Sequence, residues 1–315
     1  MNKVKRPQRS APAGWCGKRS RLLIVGCGDV ARRALPWLAR RVRVWAMVRS
    51  AQSATELRAL GVRCVAADLD EAASLRRVAA LAPWVWHFAP PLGTGDGRDP
   101  RSRRLVTALR RAGRVRRLCY ISTSGVYGDC AGAHVPETRP PGATSPRGAR
   151  RIDAERAVRG LARRGTAVAI LRAPGIYGAD RLPLDRLKRG DPVLRAEDDV
   201  FTNHIDATDL ARLSWAALMR ARGGRTFNAS DDTRLTMGDY FDCVADAFDL
   251  PRPPRVSRAD ARAHLSPMTL SFMSESRVLD NRRMKRELRL KLACPDVDAV
   301  LAQARDAVRS RTLPP

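Results

Sequence analysis

Residues 21–31 read Arg-Leu-Leu-Ile-Val-Gly-Cys-Gly-Asp-Val-Ala, and the fold turns on how this stretch is read. Residues 22–25 are four apolar residues in a row, the pattern of a strand buried on both faces of a parallel sheet. Gly26-Cys27-Gly28 turns the chain, and residues 29–38 follow as a helix with Ala31, Ala34, Leu35 and Leu38 on one face. The pattern is G-x-G-x-x-A. Gly26 permits a tight turn, Gly28 has no Cβ to hold a pyrophosphate off the backbone, and Ala31 is small enough for the helix to lie close to the strand. The helix start at Asp29, Val30 and Ala31 offers N–H groups and a positive dipole end to phosphates.

Outward from this turn the pattern repeats. Strands are expected at residues 42–48, 62–67, 84–89, 117–122 and 167–172. Helices are expected at 54–60, 71–81, 101–112 and 153–163. This βα alternation predicts an α/β fold, a Rossmann-type doubly wound parallel sheet. Residues 1–20 mix basic residues with Pro and Gly and read as a disordered basic tail, followed by a nucleotide-binding domain over 21–178. Residues 179–315 read as a mixed region forming a small C-terminal substrate-binding cap, with some helices packing back on the core. It holds helices at 206–220, 236–248, 282–288 and 297–309, a short strand at 226–229 and an irregular stretch at 251–275.

Composition narrows the function classes. The 315 residues are 44% hydrophobic, which is enough for a sizeable core. No stretch is apolar and long enough to span a bilayer, and the basic N-terminus lacks the apolar region of a secretory signal, so a cytoplasmic protein with no membrane partner is expected. Seven cysteines without a C-x-x-C pair read as small apolar residues in a reducing compartment. The formal charge is +27, carried by arginines scattered over nearly every expected helix, while aromatics make up only 5%. Without basic-aromatic interleaving, no specific nucleic-acid partner is expected, although polyanions will bind non-specifically at low salt. There is no H-E-x-x-H and no carboxylate cluster of ligand spacing, so no metal is expected.

Several strings fall at strand ends in order: GCGDVA at 26–31, AADL at 66–69, HFAPP at 87–91 and YISTSGVYGD at 120–129, then LRAPGIYG at 171–178 and NHIDATDLA at 203–211. Together they resemble the extended or atypical short-chain dehydrogenase/reductase family, in its NAD(P)-dependent epimerase/dehydratase branch, over residues 21–292. The resemblance implies that Gly26, Gly28 and Ala31 face the cofactor pyrophosphate. It puts Asp68 and Leu69 beside the adenine, Ala89 and Pro90 on the nicotinamide-ribose side, and Pro174, Gly175 and Ile176 around the nicotinamide. Asp68 also reads as the N-cap of the helix expected at 71–81. The end of the second strand, 47–50, is Met-Val-Arg-Ser and carries no acid for a ribose 2′-hydroxyl; Arg49 is placed for a 2′-phosphate. The cofactor expected is NADP, with NAD as the alternative.

The family's hydride chemistry uses a Ser/Thr after the fifth strand and a Y-x-x-x-K on the next helix. The Tyr exchanges a proton with the substrate oxygen, and the Lys lowers its pKa and holds the ribose. Thr123 fits the first role. Glu155 matches the acid that follows the Lys by four positions, so the Lys position is Arg151 and the Tyr position is Arg147. Arg151 can bind a ribose or phosphate but cannot cycle a proton near neutral pH. Tyr127 and Tyr177 are the phenols left near the expected site, and Tyr127 is carried forward with Thr123 and Arg151 as a candidate catalytic residue. Of the four histidines, His204 stands at the expected mouth of the site.

The expected function is hydride transfer on a carbonyl or alcohol of a small molecule, in this branch commonly a sugar nucleotide, by a monomer or homodimer. Two other readings stand beside it: an NADP(H)-binding sensor or scaffold without catalysis, and a polyanion- or nucleic-acid-binding protein.

Overall fold

Leu22 to Val25 of β1 (Arg21–Val25) have no exposed surface, because β1 is flanked on both sides within the sheet and covered on both faces. The computed structural model describes residues 19–312. Residues 1–18, which make up most of the tail expected at 1–20 and include Cys16, lie outside the described residues.

The seven-stranded sheet joins β1 to β2 (Arg43–Val48), β3 (Arg63–Ala66), β4 (Trp84–His87), β5 (Arg117–Thr123), and the strands Ala167–Ala173 and Arg225–Asn228. All neighbours run parallel. The order is Arg225–Asn228, Ala167–Ala173, β5, β4, β1, β2, β3, so the direction of winding reverses between β1 and β4. That reversal opens a crevice at the strand C-termini, where ligands bind in open α/β sheets. The doubly wound parallel sheet is therefore as the alternation predicts.

Alternate residues of β1 feed opposite faces. Leu22 and Ile24 join the core built with α1 (Asp29–Leu38), α2 (Ala51–Ala59) and the helix Ala207–Arg220. Leu23 and Val25 join the core built with α3 (Arg76–Ala79), α4 (Pro100–Ala112) and α5 (Pro146–Ala162). A third cluster, with Tyr177, Leu187, Tyr240, Phe241 and Val300 among its members, unites the helices Met237–Ala247 and Val297–Thr312 beside the sheet. No helix among the described residues is long and apolar enough to cross a membrane.

Several boundaries depart from the sequence reading, each through a side chain that competes with or caps the backbone. The helix expected at 71–81 is mostly turns, with only Arg76–Ala79 helical. The Ser74 hydroxyl reaches the carbonyls of Asp68 (3.0 Å) and Glu71 (2.8 Å) and accepts from the Asp68 N–H (2.9 Å), which folds this segment into turns. The helix expected at 153–163 begins at Pro146, because Ser145 caps it and Pro146 suits the first helical position. That extension sets Arg147 and Arg151 one turn apart on α5. The segment expected to be irregular at 251–275 contains the helices Arg258–His264 and Pro267–Phe272. The short strand expected near 226–229 joins the central sheet at its edge, paired with Ala167–Ala173.

Candidate functional site

The turn after β1 is shaped by what crosses it. The chain leaving β4 donates the N–H groups of Phe88 (2.8 Å) and Ala89 (2.9 Å) to the Val25 carbonyl. Gly26 lies against that crossing with φ +93°, and a Cβ there would sit 2.4 Å from the Ala89 nitrogen. Only glycine fits. Gly28 differs, because a Cβ there would meet no protein atom within 4 Å. The space over it is open, and it heads α1 without a side-chain cap, leaving the first N–H groups of the helix to a ligand. Ala31 is buried against the sheet, as close helix–strand packing requires. This cradle fits a dinucleotide pyrophosphate.

Charged groups gather beside it. Arg33 Nη2 donates to both Asp180 oxygens at 2.7 Å, and Asp29 accepts from Arg33 Nε at 3.1 Å and from Arg181 Nη1 at 3.0 Å. The Arg33 guanidinium holds the Asp180 carboxyl below the usual carboxylate range. Burial pushes the Cys27 thiol up to about 11, so the middle residue of the turn stays a neutral thiol.

At the ends of β2 and β3 a second cavity, of about 550 Å³, is lined by Arg49, Asp68, Glu71, Ser74, Arg76 and Arg77 among others. Arg49 is exposed at its edge, and Arg76 and Arg77, which the sequence reading did not single out, share the cavity. Asp68 does not cap a helix. Its Oδ1 accepts from the Asp70 N–H at 3.0 Å and closes a tight turn. Leu69 turns its side chain into the core instead of toward this cavity. Ala89 is half-buried and Pro90 exposed where the chain leaves β4.

A cavity of about 570 Å³ opens past the C-terminal ends of β5 and Ala167–Ala173. Thr123, Pro174, Gly175 and Ile176 line it together, from two segments 51 residues apart (123 to 174). The Thr123 hydroxyl accepts from the Gly125 N–H at 3.2 Å, which starts the turn Ser124–Tyr127. The start of α5 presses on that turn: a Cβ on Gly148 would lie 2.9 Å from the Gly125 carbonyl oxygen and 2.4 Å from the Ala143 Cβ. Arg147, the residue before it, lines the same cavity as Thr123.

His204 lines the same cavity. Its strand His204–Asp206 runs parallel to Gly175–Tyr177 with His204 in register with Gly175. The ring stacks on Tyr177 (5.0 Å) and lies 4.3 Å from the Tyr240 ring, and its buried Nδ1 has no partner. Burial pulls the imidazole down to about 4, so it is neutral near pH 7. Behind it the Tyr177 hydroxyl donates to Asp231 at 2.5 Å, and burial pushes the Asp231 carboxyl up to about 7. Arg181, Arg186, Phe201, Phe241, Glu275 and Arg277 are among the lining residues from the later part of the chain, where no motif marked them.

Two of the expected catalytic residues point elsewhere. Tyr127 is buried away from the cavity. The tight turn folds it inward, where its hydroxyl donates to Asn228 Oδ1 at 2.7 Å and the Arg172 guanidinium covers its ring at 4.6 Å. Arg151 does not line the cavity either; its Nη1 donates to the Tyr120 hydroxyl (3.1 Å) and the Ile121 carbonyl (2.9 Å) under β5. Glu155, four residues on, accepts from Ser122 Oγ (2.7 Å) and from Arg172 Nε (3.0 Å) and Nη2 (2.8 Å) in a buried ion pair.

Asp206, Asp209 and Cys294 lie within 4.8 Å of one another. Asp206 caps the following helix through the N–H groups of Thr208 and Asp209, and Asp209 accepts from the Ala293 and Cys294 N–H groups and from Arg212. These carboxylates hold the backbone together.

A family model described as NAD(P)H-binding matches residues 26–220. A search of curated proteins gave no match. Among solved structures, a conserved protein of unknown function from Silicibacter pomeroyi is 27% identical with a TM-score of 0.77, covering 91% of this chain and 99% of its own. The UDP-glucose 4-epimerase of Thermotoga maritima, solved with UDP-glucose, is 17% identical with a TM-score of 0.74, covering 93% and 100%. The UDP-glucuronic acid 4-epimerase of Bacillus cereus, solved with NAD, is 15% identical with a TM-score of 0.71, again covering 93% and 100%. At the identities of the two epimerases the likeness is one of fold.

Proposed function

Because this chain belongs to the NAD(P)H-binding family, with the fold of epimerase/dehydratase-like short-chain dehydrogenases/reductases, we propose that it is an NADP(H)-dependent oxidoreductase of a carbonyl or alcohol compound. The observation that carries the reading is that Thr123 and Pro174-Gly175-Ile176 line one cavity at the C-terminal ends of the central strands. When bound, the nicotinamide supplies or takes up the hydride.

The residues divide the rest of the work. The first turn of α1 and the open face of Gly28 suit the pyrophosphate, and Asp68 and Ala89-Pro90 flank the adenosine and nicotinamide-ribose ends. Arg49, Arg76 and Arg77 around one cavity suit a 2′-phosphate, and this favours NADP over NAD. The Thr123 hydroxyl hydrogen-bonds the substrate oxygen. Arg147 and Arg151 cannot cycle a proton, and we assign that task to His204, the histidine in the cavity lining. Its neutral ring accepts the substrate hydroxyl proton as hydride leaves the carbon, and returns it in the reverse direction. A small carbonyl compound or a sugar derivative fits the cavity volume.

The second reading, a cofactor sensor without turnover, draws on the two arginines at the family's Tyr and Lys positions and on the inward turn of Tyr127. NADPH and NADH titrations, followed by nicotinamide fluorescence at moderate salt, test the common premise. The expected result is NADPH binding tighter than NADH, weakened roughly tenfold or more by Arg49→Ala, the loss expected for one charge-assisted contact. Failure of both nucleotides to bind refutes both readings.

A further inference from the structure

We propose that the 570 Å³ cavity takes a substrate bearing an oxyanion, a carboxylate or a phosphate, which Arg147 holds beside Thr123 with Arg186 as the second cation. This rests on the reading of the cavity as the substrate site and names the class of molecule that enters it.

Three observations carry it. The first is position: Arg147 and Thr123 line the same cavity, so an arginine borders the space in which a substrate oxygen is to be bound. The planar fork of arginine matches a carboxylate or phosphate and has no proton to exchange, which makes it an anion holder there.

The second is the charge balance of the wall. Four arginines, 147, 181, 186 and 277, line the cavity, and among the described lining residues Glu275 is the one acid. Glu275 is already bonded to Arg277, whose Nε also donates to the Gly128 carbonyl at 3.1 Å. Arg181 is held by Asp29. Burial lowers the Arg147 pKa, with the like charges of Arg151 and Arg277 adding to the shift and Glu275 opposing it.

The third is Arg186. Its Nε lies 3.5 Å from Asp191 and its guanidinium sits 4.6 Å over the Phe241 ring, but its Nη2 is buried and has no partner. A buried donor left unpaired is costly, and Arg186 borders the cavity, so an anion bound there comes to rest beside this guanidinium.

The test is calorimetric titration of the full chain with oxalate and, separately, inorganic phosphate, at about 0.15 M salt to screen the basic surface. Arg147→Gln, Arg147→Lys and Arg186→Gln are compared with Arg305→Gln, an exposed arginine on the helix Val297–Thr312. The expected result is saturable one-site binding of one anion, weakened roughly tenfold or more by Arg147→Gln and Arg186→Gln and unchanged by Arg305→Gln. Arg147→Lys falls between, since it keeps the charge and loses the fork. Tighter oxalate marks a carboxylate substrate, and tighter phosphate a phosphorylated one. No saturable binding of either anion overturns the proposal, as does binding that both cavity variants leave intact. Thermal unfolding of each variant separates a lost site from a lost fold. NADPH titrated alongside distinguishes the two claims: NADPH binding without an anion site sinks this inference alone, and an anion site without NADPH binding sinks the cofactor reading.

Discussion

Replacing Glu155 by Ala tests how the frame behind the site is held. Glu155 and Arg172 are each only 2% exposed. The carboxylate accepts two bonds from Arg172, one from Ser122 and one, at 3.3 Å, from Arg159. Arg172 Nη1 already lacks a partner, so removing Glu155 strands a buried guanidinium against the Tyr127 ring. Breaking one side of such a pair costs about 3–5 kcal/mol, a large share of the roughly 5–15 kcal/mol that holds a domain together. At about 2 °C per kcal/mol for a long chain, the melting temperature falls by roughly 6–10 °C. Urea unfolding checks it: the midpoint drops while the slope is unchanged. The double variant Glu155→Leu, Arg172→Met removes both charges and recovers most of the loss. A loss below about 1 kcal/mol in the single variant, or a double variant as unstable as the sum of the singles, refutes the argument.

Gly28→Ala leaves unfolding unchanged, because its Cβ enters open space, yet weakens NADPH binding in the fluorescence titration by filling the pyrophosphate's approach. Tyr127→Phe lowers stability by about 1–2 kcal/mol, the cost of leaving Asn228 Oδ1 without its donor, and leaves NADPH affinity unchanged. A fall in affinity would return Tyr127 to the site. Burial holds His87 down at about 3, so its unfolded form takes up a proton that the folded form refuses. The stability of its neutral form is complete above about pH 6.5 and is lost toward pH 3, at up to roughly 1.4 kcal/mol per pH unit. Asp231, pushed up to about 7, acts in the opposite direction over its own window. The difference between wild-type and His87→Asn unfolding curves isolates the histidine, and parallel curves would refute the assignment.

How much was legible depended on the range of the interactions. The G-x-G-x-x-A turn and its helix were readable because the apolar run, the glycines and the helical face all act within ten residues. The α5 start was missed although Ser145-Pro146 signals it, since the surrounding Gly, Pro and Thr read as loop. The segment at 71–81 was misread because its helical spacing says nothing of the Ser74 hydroxyl bonding back to Asp68. Arg76 and Arg77 looked like two more surface arginines until the fold set them around the same cavity as Arg49.

By itself the sequence determined the alternation of strands and helices, the G-x-G-x-x-A turn, and the arginines at positions 147 and 151, since these are matters of local pattern and residue identity. The tertiary structure decided which side chains share the cavity. It turned Tyr127 inward to Asn228, spent Arg151 on β5, and brought His204, Arg147 and Arg186 into the lining of the cavity that Thr123 shares. The physical reason is that side-chain direction and neighbours across the sheet are fixed by packing between segments dozens of residues apart, and no local spacing encodes that packing.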